Sequence, residues 1–332
     1  MSAPNKDRIL YCVIALIVSA GVFLSYFSIS GSWNFNPAAF PKMLTGTADR
    51  PYVYRQLIPV ISKFTAWLVP QWAIELFQKG PAGLKNTINL LSQGIYPREA
   101  IIAIILIYFC LVGFIFAERA LLKQLEYPQD AQQIIPIVLT ILILPLTVFH
   151  GYIYDLPQLF LFTLGLLFIV REQWHFYLPL LAIATLNKET SIFLIVIFAL
   201  YFFRSLSRKT YFVLLVAQTI IYVIVHGLIV YLYRNNPGQS IYWTIELHIH
   251  QYSQYPITFL VTLLFFGAIL FLVFKGWQYK PFFLRISFSV FFMFLVLFFA
   301  GGREMEFRVF IDVLPIFGTL MFPYRKATQL GM

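Results

Sequence analysis

Long apolar runs recur along this chain and limit what it can fold into. Residues 9–30, 99–118 and 210–233 hold few or no charged side chains within the run. At about 1.5 Å per residue in a helix, each run is long enough to cross the roughly 30 Å hydrocarbon layer of a bilayer. The chain is 60% hydrophobic and 11% charged, whereas about 25% of the residues of a soluble domain are charged. The sequence therefore predicts an all-α, polytopic membrane protein.

The positions of Lys and Arg predict how the chain is oriented. Lys6 and Arg8 precede the first apolar run, and further basic residues follow the runs that would return to the same side. By the positive-inside rule these ends, including both termini, are expected in the cytoplasm. This placement also explains the net charge of +10, so no nucleic-acid partner is expected. The chain has no N-glycosylation sequon, and the expected location is a bacterial inner membrane, with membrane lipids as neighbours.

The runs divide the chain into about ten predicted membrane segments. Residues 177–186 and 191–203 are each too short to span alone, so we expect a helical hairpin with the NKET sequence of residues 187–190 at its outer tip. No internal repeat or soluble linker is evident, which predicts one integral membrane domain over residues 1–332. The ten segments are 9–30, 99–118, 136–149, 156–170, 177–186, 191–203, 210–233, 257–274, 281–300 and 307–322.

Residues 31–98 form a long loop that is predicted to be extracytoplasmic. Leu57, Ile61, Phe64 and Leu68 recur at helical spacing until Pro70 ends the pattern. This predicts short helices over residues 57–77 that lie in the membrane interface. The alternative is a single further span over the same residues, which would invert the orientation of everything that follows.

Five polar clusters fall on the predicted outer face, which is notable in a chain with so few charges. They are residues 45–59, 150–155, 187–190, 246–250 and 303–308. Glu and His alternate in residues 246–250, but this pattern in an expected flexible loop is too weak to predict a metal site. No nucleotide-binding fingerprint is present, and neither a metal nor another cofactor is expected.

The residue types in these clusters suit a site for a phosphorylated ligand. Asp49 is the candidate general base toward an acceptor hydroxyl; alternatively, it caps a helix or pairs with its neighbour Arg50. Cations of the outer face suit phosphate oxygens, unless they snorkel or pair with local carboxylates. These candidates for phosphate binding are Arg50, Arg55, Lys188, Arg303 and Arg308.

Further polar residues are candidates for substrate binding, each with a structural alternative. Asp155 begins a predicted helix and suits its dipole, and Lys188 can pair with Glu189. Glu304 and Arg308 would share one face of a helix, and Asp312 lies a further turn along. The substrate-binding candidates are Tyr52, Tyr54, Asp155, Asn187, Glu189, Glu304 and Glu306.

Four stretches, ADRPYVYRQLIP, YIYDLPQLFLFTLG, ATLNKETSIFL and EFRVFIDVLP, together with an acid in a long first outer loop, carry a family resemblance. In this arrangement the chain resembles the GT-C superfamily of polytopic glycosyltransferases, and in particular its small bacterial members. The resemblance implies a polyprenyl-phosphate sugar as donor, Asp49 as base and the outer cations as ligands of the donor phosphate. The chain departs from the superfamily in having a single Asp followed by Arg where paired acids are usual.

Two other functions fit the same residues. A transporter or flippase of lipid-linked substrates would bind its substrate in a cavity formed by the same residues. The broken hairpin at residues 187–190 favours this function. A non-catalytic subunit of a membrane complex would instead have its polar residues in local ion pairs, with no open cavity around Asp49.

Overall fold

The computed structural model describes residues 3–29, 35–79, 82–240, 243–302 and 306–324. Within these ranges the regular structure is helical, apart from an isolated β-bridge between Arg50 and Gly238. The α-helices are α1 Ala3–Ile29, α2 Phe40–Thr45, α3 Leu57–Thr65, α4 Gln71–Lys79, α5 Ala82–Ser92, α6 Pro97–Gln124, α7 Gln129–Thr147, α8 Asp155–Val170, α9 Trp174–Asn187, α10 Ile192–Phe202, α11 Arg208–Leu232, α12 Ile245–Gln254, α13 Pro256–Phe274, α14 Phe282–Ser287, α15 Ser289–Gly301 and α16 Leu314–Leu320.

Six helical segments of the described chain are long and apolar enough to cross a membrane. The expectation of about ten spans is therefore not confirmed. The difference arises because four predicted segments form the short helices α8, α9, α10 and α16, the last preceded by the 3₁₀ turn Phe307–Val313. The six candidate spans are Asp7–Ser28, Pro97–Gln124, Gln129–Thr147, Arg208–Leu232, Pro256–Phe274 and Phe282–Gly301.

Helix α8 lies at the centre of the bundle. Its sequence is apolar on all sides, as expected of a helix surrounded by protein, and Leu159, Phe162 and Leu166 are fully buried. Gly165 allows α10 to approach closely, since a Cβ atom there would lie 2.6 Å from the Leu194 side chain. With 16 residues, α8 is about 24 Å long, and both of its ends belong to sites described below.

The long helices at the periphery expose apolar side chains. Ile17 of α1, Ile224 of α11 and Phe271 of α13 are each more than 60% exposed. A soluble protein rarely leaves contiguous apolar surface of this kind uncovered. These faces are therefore the ones that lipid would cover.

The helices α3 and α4 belong to the loop that was predicted to carry interfacial helices. The helical stretch Leu57–Leu68 and α4 meet at an angle of 111°, next to Pro70. This bend excludes a straight span over residues 57–77, but by length and composition the two stretches could together form one broken span. Phe64 and Trp67 on the first stretch and Trp72 on the second are largely exposed, in keeping with helices that lie at a membrane interface.

Candidate functional site

Seven charged side chains from four distant parts of the chain meet in one network. They come from the segment before α3, the start of α8, the break between α9 and α10, and the segment after α15. Most of them lie at helix ends or in the connections between helices. We call this group the charge network: Arg55, Asp155, Lys188, Glu189, Glu306, Arg308 and Asp312.

Asp155 is the centre of the charge network. Its side chain is fully buried, and one carboxylate oxygen accepts a hydrogen bond from the backbone N–H of Tyr152 at 2.9 Å. The other oxygen lies 3.4 Å from Lys188 Nζ and 3.2 Å from Arg308 Nη1. As the first residue of α8, it also faces the positive end of the helix dipole. Asp155 therefore both begins the helix, as predicted, and pairs with the cations.

Lys188 joins Asp155 to a second buried carboxylate. Its ammonium group lies 3.0 Å from Asp312, whose carboxylate also accepts a hydrogen bond from the Thr190 hydroxyl at 2.6 Å. Lys188 has an extended backbone between α9 and α10, which interrupts the apolar hairpin. Asp312 lies one turn beyond Arg308 in the sequence but pairs with Lys188, so Asp155 and Asp312 share one lysine.

Arg55 forms the rim of the charge network. Its guanidinium lies 2.7 Å from the Glu189 carboxylate and also donates to the Tyr154 hydroxyl. Burial by itself would lower the pKa of Arg55, but the charge and hydrogen bonds of the Glu189 carboxylate offset this and raise the pKa above its usual value. The alternative considered for Glu189, an ion pair with its neighbour Lys188, does not form; Glu189 pairs with Arg55.

Two stacked tyrosines support the arginines. The rings of Tyr152 and Tyr154 are 5.3 Å apart and nearly parallel. The guanidinium of Arg308 lies 4.2 Å from the centre of the Tyr152 ring, and that of Arg55 lies 4.3 Å from the centre of the Tyr154 ring. Such cation–π contacts are stronger in buried sites. These tyrosines were not predicted, although their alternation directly before Asp155 was the available signal.

A cavity of about 300 Å³ opens beside the charge network. Arg55 and Arg308 line it, and so does Glu306, whose carboxylate pairs with Arg308. The cavity is therefore a place where a ligand can contact both arginines and one carboxylate. We call it the arginine cavity, and its lining residues are Phe35, Pro51, Tyr52, Arg55, Thr244, Leu247, Gly301, Glu306 and Arg308.

Asp49, the predicted base, lies near this cavity in sequence but does not line it. Its backbone N–H donates to Pro37 O at 3.0 Å, and its backbone carbonyl accepts from the N–H of Val53. Among the described residues, no side chain forms an ion pair with Asp49, and Arg50 is no exception. The Asp49 carboxylate thus differs from the carboxylates of the charge network, each of which is paired with a cation.

Arg50 and Tyr54 attach this segment to the connection that follows α11. The Arg50 guanidinium donates to Gly238 O at 2.7 Å, and the Tyr54 hydroxyl lies 3.0 Å from Ser240 Oγ. Asn236 adds hydrogen bonds to the carbonyls of Gly46 and Ala48. Arg50, predicted to bind phosphate, is therefore occupied in holding two connections together.

The remaining predicted residues have different outcomes. Tyr52 lines the arginine cavity. Asn187 is buried and donates to Tyr154 O at 2.9 Å and to Gln158 Oε1 at 3.1 Å, which stabilises the hairpin rather than presenting a group to the cavity. Arg303 and Glu304 lie outside the described residues, as does the predicted pairing of Glu304 with Arg308.

The prediction of a flexible loop at residues 246–250 is wrong. These residues belong to α12, and His248 is buried with its Nε2 3.0 Å from Gly302 O and 3.1 Å from Phe298 O. One His of the alternating pattern thus anchors α12 to the end of α15. Over the ranges that the structure describes, no three His, Cys, Asp or Glu side chains form a group that would hold a metal ion.

The fold and the buried charge network are those of a helical membrane protein whose polar centre lies among helix ends. Comparison with protein-family models, with curated proteins and with solved structures gave no match. The function is therefore argued from the site alone.

Proposed function

We propose that this protein is a membrane glycosyltransferase that moves a sugar from a polyprenyl-phosphate donor to an acceptor at the extracytoplasmic face. The observation that carries the proposal is that Arg55, Arg308 and Glu306 line one cavity of about 300 Å³. Guanidinium groups suit a phosphate leaving group, and a carboxylate beside them suits a base. The reaction class therefore needs no chemistry beyond the groups that line this cavity.

In the proposed reaction the arginines stabilise the departing phosphate. Their ion pairs with Glu189 and Asp155, at 2.7 and 3.2 Å, hold the guanidinium groups in fixed positions. A guanidinium has five N–H donors, so these pairs leave donors for phosphate oxygens. Preorganised donors of this kind stabilise charge that develops as the bond to the sugar breaks.

Glu306 and Asp49 are the two candidates for the base. The base takes the proton of the acceptor hydroxyl as the acceptor oxygen bonds to the anomeric carbon, and the bond from that carbon to the phosphate oxygen breaks. Glu306 lines the cavity and pairs with Arg308, so a phosphate that binds Arg308 would free the Glu306 carboxylate. This arrangement favours Glu306 as the base, whereas the sequence had suggested Asp49.

A second candidate function is transport of a lipid-linked substrate. It is favoured by the break between α9 and α10, where Lys188 is buried between Asp155 and Asp312. Buried charges at interrupted helices are typical of substrate or ion pathways. A non-catalytic subunit would also have Arg55, Lys188 and Arg308 paired with carboxylates. The arginine cavity favours a protein that binds a ligand over such a subunit.

The experiment supplies the purified protein, in liposomes, with radiolabelled polyprenyl-phosphate sugars and an extract containing acceptors. A transferase gives labelled product and free polyprenyl phosphate. Glu306→Gln should lower turnover about 100-fold or more while donor binding persists, and Asp49→Asn is the matched test of the other carboxylate. Loss of turnover in Asp49→Asn alone would return the base role to Asp49. Movement of intact donor across the bilayer, without bond cleavage, would replace the transferase by the transporter.

A further inference from the structure

A second cavity lies at the opposite end of α8 from the charge network. Its basic residues are Arg8 near the start of α1, Arg119 and Lys123 near the end of α6, and Arg171 directly after α8. The volume is about 750 Å³. Since Asp155 begins α8 and Arg171 follows it, the two sites are about 24 Å apart along that helix. We call this second site the basic cavity.

The cations of the basic cavity are not neutralised by the protein. In the described part of the chain, none of Arg8, Arg119, Lys123 and Arg171 forms an ion pair with a carboxylate. Asp7 is the one carboxylate among the lining residues, so four positive charges face one negative charge. The cations of the charge network, by contrast, are each paired. The basic cavity therefore has the stronger unmet demand for an anion.

Membrane orientation alone does not account for this arrangement. The positive-inside rule requires Lys and Arg near the cytoplasmic ends of spans, at any position around each helix. Here cations from α1, from α6 and from the residue after α8 line one open cavity, and amides of α7 complete its wall. These amides belong to Gln129, Gln132 and Gln133. Basic pockets between membrane helices are typical sites for anionic lipid headgroups.

An apolar path leads away from the basic cavity along α1 and α6. Phe116 and Cys12 line the basic cavity. A separate, wholly apolar cavity of about 240 Å³ lies further along the same two helices, and Ala20 and Phe109 are among its lining residues. We call it the apolar cavity. Phe109, Phe116 and Lys123 are seven residues apart and so share one face of α6. Phe109 is 62% exposed, so this path is open to an acyl chain.

We propose that the basic cavity and the adjoining apolar path bind one anionic phospholipid. Its phosphate lies among Arg8, Arg119, Lys123 and Arg171, and an acyl chain follows α1 and α6 to the apolar cavity. This inference does not depend on the proposed glycosyltransferase activity, because it concerns a different site, at the other end of α8. It predicts a lipid that stays with the protein through purification.

The test measures binding of phosphatidylglycerol and of phosphatidylcholine to the purified full-length protein by native mass spectrometry in a neutral detergent. We expect a clear preference for phosphatidylglycerol that weakens as salt is raised. The variant Arg8→Gln/Lys123→Gln/Arg171→Gln should lower the affinity by about fivefold for each charge removed. The matched control is Arg204→Gln/Arg208→Gln/Lys209→Gln, which removes the same charge at three exposed positions, one between α10 and α11 and two at the start of α11. It should retain the wild-type preference.

Two results would overturn the proposal. Equal affinity of the wild-type protein for both lipids would do so without any variant, even if the triple variant fails to fold. An equal loss in the control variant would reduce the effect to general surface charge. A third measurement separates a lipid from a free anion. Ala20→Trp fills the apolar cavity and should weaken phosphatidylglycerol binding. If Ala20→Trp has no effect and inorganic phosphate competes fully, the ligand is a soluble phosphate and not a lipid.

Discussion

The buried carboxylate of Asp155 lies 3.2 Å from the guanidinium of Arg308, although the two residues are 153 positions apart in the chain. Lys188 approaches the same carboxylate oxygen at 3.4 Å. One acid therefore neutralises two cations that belong to different parts of the bundle. The stability of this polar centre should depend more on Asp155 than on any other member of the charge network.

We predict that Asp155→Asn destabilises the protein by about 3–5 kcal/mol, because it leaves two buried cations undercompensated. The measurement is the free energy of unfolding in detergent micelles. Asp312→Asn is the matched control, since it removes one carboxylate that has a single cationic partner and keeps a hydrogen-bond acceptor for Thr190. A larger loss in Asp312→Asn than in Asp155→Asn would contradict the central place given to Asp155.

The Arg55–Glu189 pair should contribute less. The Glu189 side chain is 34% exposed, and solvent screening weakens such a pair. A double-mutant cycle with Arg55→Met and Glu189→Gln should give a coupling energy of about 1 kcal/mol. A coupling energy above about 3 kcal/mol would mean that the pair is as shielded from solvent as the buried centre of the network.

Lys280 supports the ends of two helices outside the charge network. Its buried ammonium donates to the carbonyls of Leu272, Val273 and Leu320, where α13 and α16 end and carbonyl groups lack helical partners. We predict that Lys280→Met lowers the free energy of unfolding by about 1–3 kcal/mol. Lys275→Met, at an exposed position near the end of α13, should cost less than about 0.5 kcal/mol. Equal effects would show that these carbonyls need no such donor.

The predicted orientation can be tested with single cysteines on either side of α11. Ser205 precedes this helix and Gln239 follows it, and both are exposed. In a background with Cys12→Ser and Cys110→Ser, a membrane-impermeant thiol reagent should label Gln239→Cys in cells with a permeable outer envelope and an intact inner membrane. It should label Ser205→Cys only after that membrane is opened. The reverse pattern would place the charge network on the cytoplasmic side.

Hydrophobic pattern predicted the helical class and the break at Pro70, because both depend on local chemistry. It overcounted membrane spans, in part because α8 is as apolar as a lipid-facing helix but is surrounded by protein. Sequence alone cannot separate these two causes of apolarity. The burial of Leu159 and Phe162 on α8, set against the exposure of Ile224 on α11, makes the distinction.

For the site, the sequence predicted which clusters would meet but not their partners. Arg55, Asp155, Lys188 and Arg308 do come together, since each lies where an apolar segment stops. That Lys188 contacts Asp312 and not Glu189 follows from its extended backbone and from the packing of segments far apart in the chain. Residue spacing encodes neither the extended backbone of Lys188 nor the packing of distant segments. The role of Asp49 as base stays a prediction.

The span of 153 positions between Asp155 and Arg308 also has a consequence for biosynthesis. At about 5–20 residues per second, the ribosome takes roughly 8–30 s to translate the intervening chain. During that interval Asp155 and Lys188, an acid and a base, have each other as partners. The later segment then delivers Glu306, Arg308 and Asp312, and Glu306 pairs with Arg308 within that segment. Each half of the charge network therefore has an ion pair of its own before the halves join.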